Sequence, residues 1–215
     1  MTLRKQATAK AIRWLVLVLL LGSIRGFAEP APTRAQTPRT STIIVDTLDD
    51  ELNAENDCSL REALSAAGSD TTVDTCAAGG ATLDIITFSV SGTITLTAQL
   101  PVTATVGAVV IDGAGVIEVT GDYGVRPFYV GPGARLALRA LTVRDARFEG
   151  NGAGLYNEGI VHIDRCLFRD NVADAYPGFY TSGGSLWNSG SLNITNSTIS
   201  GSYADFGSAI GNGGH

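Results

Sequence analysis

A repeated glycine- and asparagine-containing unit constrains the fold of this chain more than any other feature. The unit GAGLYNEG at 152–159 recurs as GGSLWNSG at 183–190 and as GSAIGNGG at 207–214, and the central asparagines lie 31 and 24 residues apart. Self-similarity at such a period is typical of architectures in which similar units stack on one another.

Apolar residues recur in a constant pattern in this part of the chain. Two lie at a spacing of two, a gap of three follows, and two more lie at a spacing of two. Alternation places each pair on one face of a strand, and the odd gap predicts a bend after which the next pair faces inward again. The inward positions predicted in this way are Leu136, Leu138, Leu141, Val143, Val161, Ile163, Cys166, Phe168, Leu192, Ile194, Ser197 and Ile199.

Short strands joined by glycine turns bury their apolar faces only when successive coils stack. The pattern therefore predicts an all-β fold, a right-handed parallel β-helix, with coils over 81–215. The period of an α-helical repeat is missing. A propeller blade repeats at about 40–45 residues and a leucine-rich repeat has a denser leucine frame, so both alternatives fit less well. We expect the last coil to be incomplete at His215.

The first residues predict export from the cell. Basic residues precede an apolar run, which is the pattern of a secretory signal. Small side chains near its end predict a signal peptide at 1–28, with an alternative cleavage site after Ala35. A membrane anchor needs about 20 apolar residues, and Arg25 interrupts this run too early. We expect a flexible linker at 29–41 and no membrane span in the mature chain.

Removal of the signal peptide makes the chain strongly acidic. Both lysines leave with it, and ten arginines remain against 21 acidic residues, a net charge of −11. Such a surface repels phosphate backbones, and the sequence has no basic stripe with interleaved aromatic residues. Nucleic acid is therefore excluded as a partner, and acidic partners in general are disfavoured.

The motif CSLREAL at 58–64 predicts a short helix ahead of the coils. Ser59 and Glu62 have the spacing of a capping box, in which each side chain pairs with the other residue's backbone N–H. Two leucines four positions apart then share one helix face. A solenoid needs terminal units that cover its apolar interior, so we assign 42–80 as an N-terminal cap.

The three cysteines have two different predicted roles. Cys58 and Cys76 flank a short polar segment in a chain predicted to be exported, where the environment permits a disulfide. Closing this loop is expected to stabilise the fold by about 3 kcal/mol. Cys166 aligns with Leu141 and Ser197 in the repeat frame, which predicts a buried, inert thiol.

The motifs together resemble those of a known family. CSLREAL, followed by ITFSVSGTITLTAQLPV at 86–102, IDGAG at 111–115 and the repeated units, resembles the CSLREA-domain proteins with right-handed parallel β-helix repeats. The repeats also resemble those of polymorphic outer-membrane proteins and of pectate-lyase-like β-helices. The resemblance implies a secreted or surface-attached bacterial protein, and it carries over no catalytic residue.

Carboxylates and arginines are the first candidates for glycan-cleaving chemistry, because hydrolysis of a sugar bond uses two acids about 5–10 Å apart. The candidate acids are Asp112, Asp145, Asp164, Asp170 and Asp174, and the candidate arginines are Arg144, Arg165 and Arg169. All lie near turns or beside inward apolar positions, where aspartate commonly caps a bend or faces water. We favour these structural roles and assign no catalytic residue.

An acidic loop ahead of Cys58 is a candidate calcium site, because oxygen-rich loops hold this ion. Its oxygen-bearing residues are Asp46, Asp49, Asp50, Glu51, Asn53, Glu55, Asn56 and Asp57. They do not follow EF-hand spacing, and a solvated acidic loop is the alternative. His162 and His215 are too few and too far apart to predict a zinc site.

The repeats themselves offer two further sets of side chains. Asn157, Asn188 and Asn212 are expected either to stack as an amide ladder or to adopt a left-handed turn before glycine. Tyr156 and Trp187 occupy equivalent positions and are candidates for a sugar-binding surface, although packing within the fold is the favoured alternative.

Two classes of function remain open from the sequence. The first is a secreted or cell-surface β-helix with a structural, adhesive or binding role towards an extracellular glycan or surface protein. The second is a fragment of a carbohydrate-active enzyme, a polysaccharide lyase or glycoside hydrolase. The regular repeats, in which no convergent polar cluster is visible, favour the first.

Overall fold

The computed structural model describes residues 40–103, 107–175 and 177–213, so the predicted signal peptide and nearly all of the predicted linker lie outside the described residues. These ranges contain one helix, α1 (Leu60–Ser69). The strands are β1 (Thr40–Val45), β2 (Leu83–Phe88), β3 (Gly92–Thr95), β4 (Leu100–Val102), β5 (Ala108–Thr120), β6 (Phe128–Val130), β7 (Arg135–Arg144), β8 (Arg147–Glu149), β9 (Leu155–Asn157), β10 (Ile160–Asp164), β11 (Leu167–Arg169), β12 (Val172–Asp174), β13 (Leu186–Asn188), β14 (Ser191–Thr195), β15 (Thr198–Ser200) and β16 (Ile210–Asn212).

The strands form three parallel sheets along a β-solenoid of about five turns. The longest sheet has the order β1-β2-β5-β7-β10-β14, with β3 beside β5 and with β11 between β7 and β15. A second sheet has the order β4-β6-β9-β13-β16, and β8 pairs with β12 in the third. The predicted parallel β-helix with one short helix is therefore confirmed.

The predicted inward residues lie opposite one another in neighbouring coils. Val161 pairs with Leu136 and Leu192, and Ile163 pairs with Leu138 and Ile194. Residues of β7 and β10 at these positions are at most 1% exposed, whereas the two residues of β14 are only partly buried. The apolar core therefore runs along the axis as columns of matched side chains.

The three coils that contain β7, β10 and β14 each turn two corners at residues with a left-handed backbone. The first corner is formed by Ala140, Arg165 and Asn196, with φ angles of 46°, 55° and 50°. The second is formed by Asp145, Asp170 and Gly201, with φ angles of 49°, 56° and 62°. The first corner is the physical basis of the three-residue gap in the sequence, because one left-handed residue redirects the strand and lets the next apolar pair face inward.

Helix α1 covers apolar residues at the N-terminal side of the core. The capping box is present: Glu62 N donates to Ser59 Oγ at 3.1 Å, and Ser59 N donates to Glu62 Oε2 at 3.0 Å. Leu60, Ala63 and Ala67 are at most 1% exposed and belong to the same apolar cluster as the coil interior. The helix therefore extends the core as well as capping it.

The predicted disulfide is confirmed, with the Cα atoms of Cys58 and Cys76 4.9 Å apart. Cys166 is free and 3% exposed, and it lies in the coil position of Ser197, whose hydroxyl accepts its backbone N–H. One boundary differs from the sequence-based assignment. Strand β1 begins at Thr40 rather than at Thr42, and it pairs in parallel with β2, so it is the first strand of the longest sheet.

Candidate functional site

The repeat asparagines form a hydrogen-bonded column within the second sheet. Asn157 Nδ2 donates to Asn188 Oδ1 at 2.6 Å, and Asn188 Nδ2 donates to Asn212 Oδ1 at 2.8 Å. Asn157 is fully buried and its Oδ1 also accepts from Gly159 N at 2.9 Å. Since these amides bond to one another and to the turns, the column stabilises the stack of coils.

Aromatic rings form a second column on the opposite face of the same sheet, on β6, β9 and β13. Tyr129 and Tyr156 have ring centroids 5.9 Å apart, and Tyr156 and Trp187 have centroids 6.5 Å apart, with tilts of 31° and 35°. All three side chains are half-buried. Their faces are turned largely towards one another along the axis, so the column mainly reinforces the coils.

Gly211 and Gly213 of the third repeat pack closely against the Trp187 ring. A Cβ atom at Gly211 would lie 2.6 Å from the Trp187 ring, and one at Gly213 would lie 2.4 Å from it. Trp187 therefore covers the backbone of β16, where a further aromatic side chain has no room. This close contact accounts for Gly211, which stands where the first two repeats have Tyr156 and Trp187.

A buried arginine connects the aromatic column to a neighbouring groove. The Arg126 guanidinium lies 3.5 Å from the Phe148 ring centroid and 5.0 Å from that of Tyr156. It donates to the carbonyl oxygens of Asn151 and Gly152 at 2.7 and 2.8 Å. Burial lowers the pKa of Arg126 to about 10, which still leaves it cationic at neutral pH.

The groove next to Arg126 has a volume of about 520 Å³, and we call it the Tyr123 groove. Its lining residues are Tyr123, Gly124, Arg147, Phe148, Glu149 and Asp174. Volumes of about 300–1,000 Å³ are typical of small-molecule sites. The groove combines aromatic and charged side chains on the surface of the coils.

Tyr123 is 60% exposed, and two hydrogen bonds to Asp145 hold it in place. Its backbone N–H donates to the Asp145 carbonyl at 2.7 Å, and its hydroxyl donates to Asp145 Oδ1 at 3.2 Å. The hydrogen bond to the Asp145 carboxylate raises the pKa of Tyr123. The ring is thus an exposed aromatic surface with a fixed orientation.

Charged residues line the other side of the groove on β8 and β12. Arg147 pairs with Asp174, and Glu149 lies opposite Asp174 in the parallel register. The ring of Phe148 packs against an alanine cluster beneath these strands. The groove therefore offers aromatic rings, carboxylate acceptors and guanidinium donors within one surface.

Of the five candidate aspartates, Asp174 alone lines the Tyr123 groove. Asp112 accepts from Ala114 N in a turn, and Asp170 pairs with Arg169. Hydrogen bonds from Asn196 and Thr195 lower the pKa of Asp164, which also pairs with Arg165. Asp145 supports Tyr123 from beneath the groove, and Arg144 binds both Asp145 and Glu118.

Two aspartates of the acidic loop ahead of Cys58 hold neighbouring segments of the cap together. Asp46 Oδ1 accepts from Cys58 N at 2.7 Å. Asp50 binds Arg61 at 2.8 and 2.9 Å and also accepts from Thr97 N at 2.6 Å. Sequence reasoning missed this role of Arg61, because its partners lie 11, 37 and 38 residues away.

No protein-family model, curated protein or solved structure matches this chain. Among the described residues, no helix is both long enough and apolar enough to cross a membrane.

Proposed function

We propose that this protein is an exported bacterial β-helix protein that binds a neutral glycan in the Tyr123 groove. The observation that carries the proposal is the exposed, fixed Tyr123 ring beside the charged side chains of Arg147, Glu149 and Asp174. Aromatic rings pack against the apolar faces of sugars, and charged planar groups pair with their hydroxyls.

The charges of the groove favour a neutral ligand over an acidic one. Glu149 and Asp174 outnumber the single cation Arg147, and Arg147 is already paired with Asp174. The chain beyond position 28 carries a net charge of −11. Both features repel uronic acid polymers and phosphorylated ligands at a distance.

Three features support export and display at the cell surface. The N-terminal pattern is that of a secretory signal. The Cys58–Cys76 disulfide suits an oxidising compartment. The resemblance of the CSLREAL motif to CSLREA-domain proteins points to the same setting, and we extend the proposal to membership of that group.

One observation favours a second candidate function, glycoside hydrolysis. Glu149 and Asp174 lie on neighbouring strands in direct register within the groove. A glycoside hydrolase uses two such carboxyl groups, one as an acid and one as a nucleophile or base.

The test is a glycan array of neutral and anionic oligosaccharides, followed by calorimetric titration of each ligand found. We expect a neutral oligosaccharide to bind, and Tyr123→Ala to weaken the affinity at least tenfold. Phe148→Ala is a second groove variant. Val116→Ala, at a residue 51% exposed on β5 and outside the lining of the groove, is the control.

The outcomes separate the two candidate functions. Wild-type affinity in Tyr123→Ala, or binding of anionic glycans alone, would overturn the proposed binding site. Release of reducing ends from a bound glycan that Glu149→Gln abolishes would establish the hydrolase instead. Binding without release supports the binding protein.

A further inference from the structure

A cluster of carboxylates lies in the N-terminal cap, away from the residues that line the Tyr123 groove. One oxygen each from Asp57, Glu62 and Asp74 lies within 4.8 Å of the other two. The three residues come from the acidic loop, the first turn of α1 and the segment before Cys76. The Cys58–Cys76 disulfide joins the two outer segments, so the carboxylates are brought together by a covalent link.

The cluster has no basic partner among the described residues. Arg61, the nearest basic residue in the sequence, is engaged by Asp50, and none of the ion pairs found includes a member of the cluster. Three carboxylates so close together repel one another strongly where water is partly excluded. A bound cation would offset this repulsion.

Unpartnered buried oxygens are an independent sign of a missing ligand. Asp57 Oδ1 and Glu51 Oε1 are buried and have no hydrogen-bond partner in the described structure. The Glu51 carboxylate also lies close enough to that of Asp57 for the two negative charges to repel each other. Buried polar atoms are nearly always paired, and those that are not commonly mark an ion or a water.

The cluster is also held in a fixed geometry. Glu62 is fully buried, and its two oxygens accept from Asn53 N and Ser59 N at 3.0 Å each. Asp74 Oδ2 accepts from Asn56 N at 2.9 Å. Backbone donors therefore orient these carboxylates and leave their remaining lone pairs for an ion.

We propose that Asp57, Glu62 and Asp74, together with Glu51, bind one Ca²⁺ ion. The donors are all oxygens, which favours a hard cation over zinc or copper. Four carboxylates from three segments suit the flexible six- to eight-fold coordination of Ca²⁺ better than the strict octahedron of Mg²⁺. Water and backbone carbonyls would complete the shell. The ion would join the acidic loop, α1 and the disulfide segment.

The test is titration of the oxidised, chelator-treated mature chain with Ca²⁺, and separately with Mg²⁺, in a calorimeter. We expect one Ca²⁺ per chain, a weaker response to Mg²⁺, and a higher Tm in Ca²⁺. Asp74→Asn and Asp57→Asn should each weaken the Ca²⁺ affinity at least tenfold. Asp70→Asn and Glu55→Gln remove the same charge from exposed positions outside the cluster and serve as controls.

Two results would overturn the calcium site. One is the absence of saturable Ca²⁺ binding by the wild-type chain up to millimolar concentrations. The other is an equal loss of affinity in the cluster variants and in Asp70→Asn or Glu55→Gln, which would show only general attraction to an acidic surface. Since the wild-type titration decides the first, a variant that fails to fold does not leave the proposal open.

Discussion

The N-terminal cap and the coils of this β-helix are stabilised in different ways. In the coils, equivalent apolar side chains repeat along the axis, as Val161 does against Leu136 and Leu192. In the cap, single links join separate segments, such as the Asp50–Arg61 ion pair and the covalent Cys58–Cys76 disulfide. Repetition specifies the coils, whereas individual partners specify the cap.

This difference predicts where substitutions are tolerated. A residue in the coils shares its role with equivalent residues in neighbouring coils. The stability lost on replacing it should therefore depend on how fully those coils bury it. A cap position has a specific partner, so its loss leaves that partner buried and unpaired.

The largest effect is expected from a cavity in the centre of the coils. Ile163 is 1% exposed between β7 and β14. Ile163→Ala should lower the free energy of unfolding by about 4 kcal/mol, because it removes buried methyl groups and leaves a cavity. Chemical denaturation measures the change.

The matched variant is Ile194→Ala in β14, where the equivalent side chain is only partly buried. Its cost should be about half as large, because less apolar surface leaves water on folding. An equal loss of unfolding free energy at Ile163 and Ile194 would show that burial by neighbouring coils does not determine how much a coil residue stabilises the fold.

The second prediction concerns the buried ion pair of the cap. The Asp50 side chain is 1% exposed, and its Arg61 partner is 18% exposed. Asp50→Asn should cost about 3 kcal/mol, because it leaves a partly buried guanidinium without its anion. Asp49→Asn, one position earlier in the same loop and without an ion pair among the described residues, is the control and should change little.

The same pair predicts a pH dependence. Burial opposes ionisation of Asp50, but hydrogen bonds from Arg61 and Thr97 outweigh it and hold the pKa of Asp50 below its ordinary value of 3.8. Its stabilisation is therefore complete above the unfolded pKa and is lost as pH falls through the lower folded pKa. Unfolding measured at successive pH values should show a smaller acid loss below about pH 4 in Asp50→Asn than in the wild type.

The third prediction tests the asparagine column. Asn188 is 8% exposed and links Asn157 to Asn212. Asn188→Ala should destabilise the protein by about 2 kcal/mol, because it leaves the buried Asn157 amide without one of its partners. Thermal unfolding gives the cost, and Asn193→Ala, an exposed position on β14, provides the comparison. If both variants cost the same, the column contributes nothing beyond the general packing of the coils.

The smallest predicted effect has the opposite sign. Ala140 forms a corner with a φ angle of 46°, a conformation that costs a side-chain-bearing residue about 1–2 kcal/mol. Ala140→Gly should therefore stabilise the protein by about 0.5 kcal/mol after the extra flexibility of glycine in the unfolded chain is counted. Ala137→Gly in the same strand lacks this strain and should destabilise it. A loss of stability in both variants would mean that the corner carries no strain.

The sequence predicts the coils well, because the same spacing of apolar residues recurs in each of them. The register of Val161 with Leu192 follows from a spacing that recurs in each coil, and the structure confirms it. The Cys58–Cys76 disulfide and the burial of Cys166 are confirmed as well. The corner residues Ala140 and Arg165 were not predicted, because neither has the side chain usually found in left-handed turns.

The groove and the carboxylate cluster were harder to predict, because they depend on contacts between segments far apart in sequence. Tyr123 has no equivalent in the repeat frame, and its partner Asp145 lies 22 residues later. Asp74 lies 17 residues after Asp57, and the two meet where the disulfide closes the intervening segment. Tyr129 was missed as the first ring of the aromatic column, since its strand lacks the glycine–asparagine unit.

The most direct test of separate stabilisation of cap and coils is native-state hydrogen exchange on the oxidised and the reduced protein. The disulfide closes an 18-residue separation, worth about 3 kcal/mol, so reduction should speed exchange in α1 by about 100-fold. Exchange in β7, β9 and β10 should remain unchanged. Faster exchange of equal size in α1 and these strands, or unchanged exchange in α1, would contradict the account.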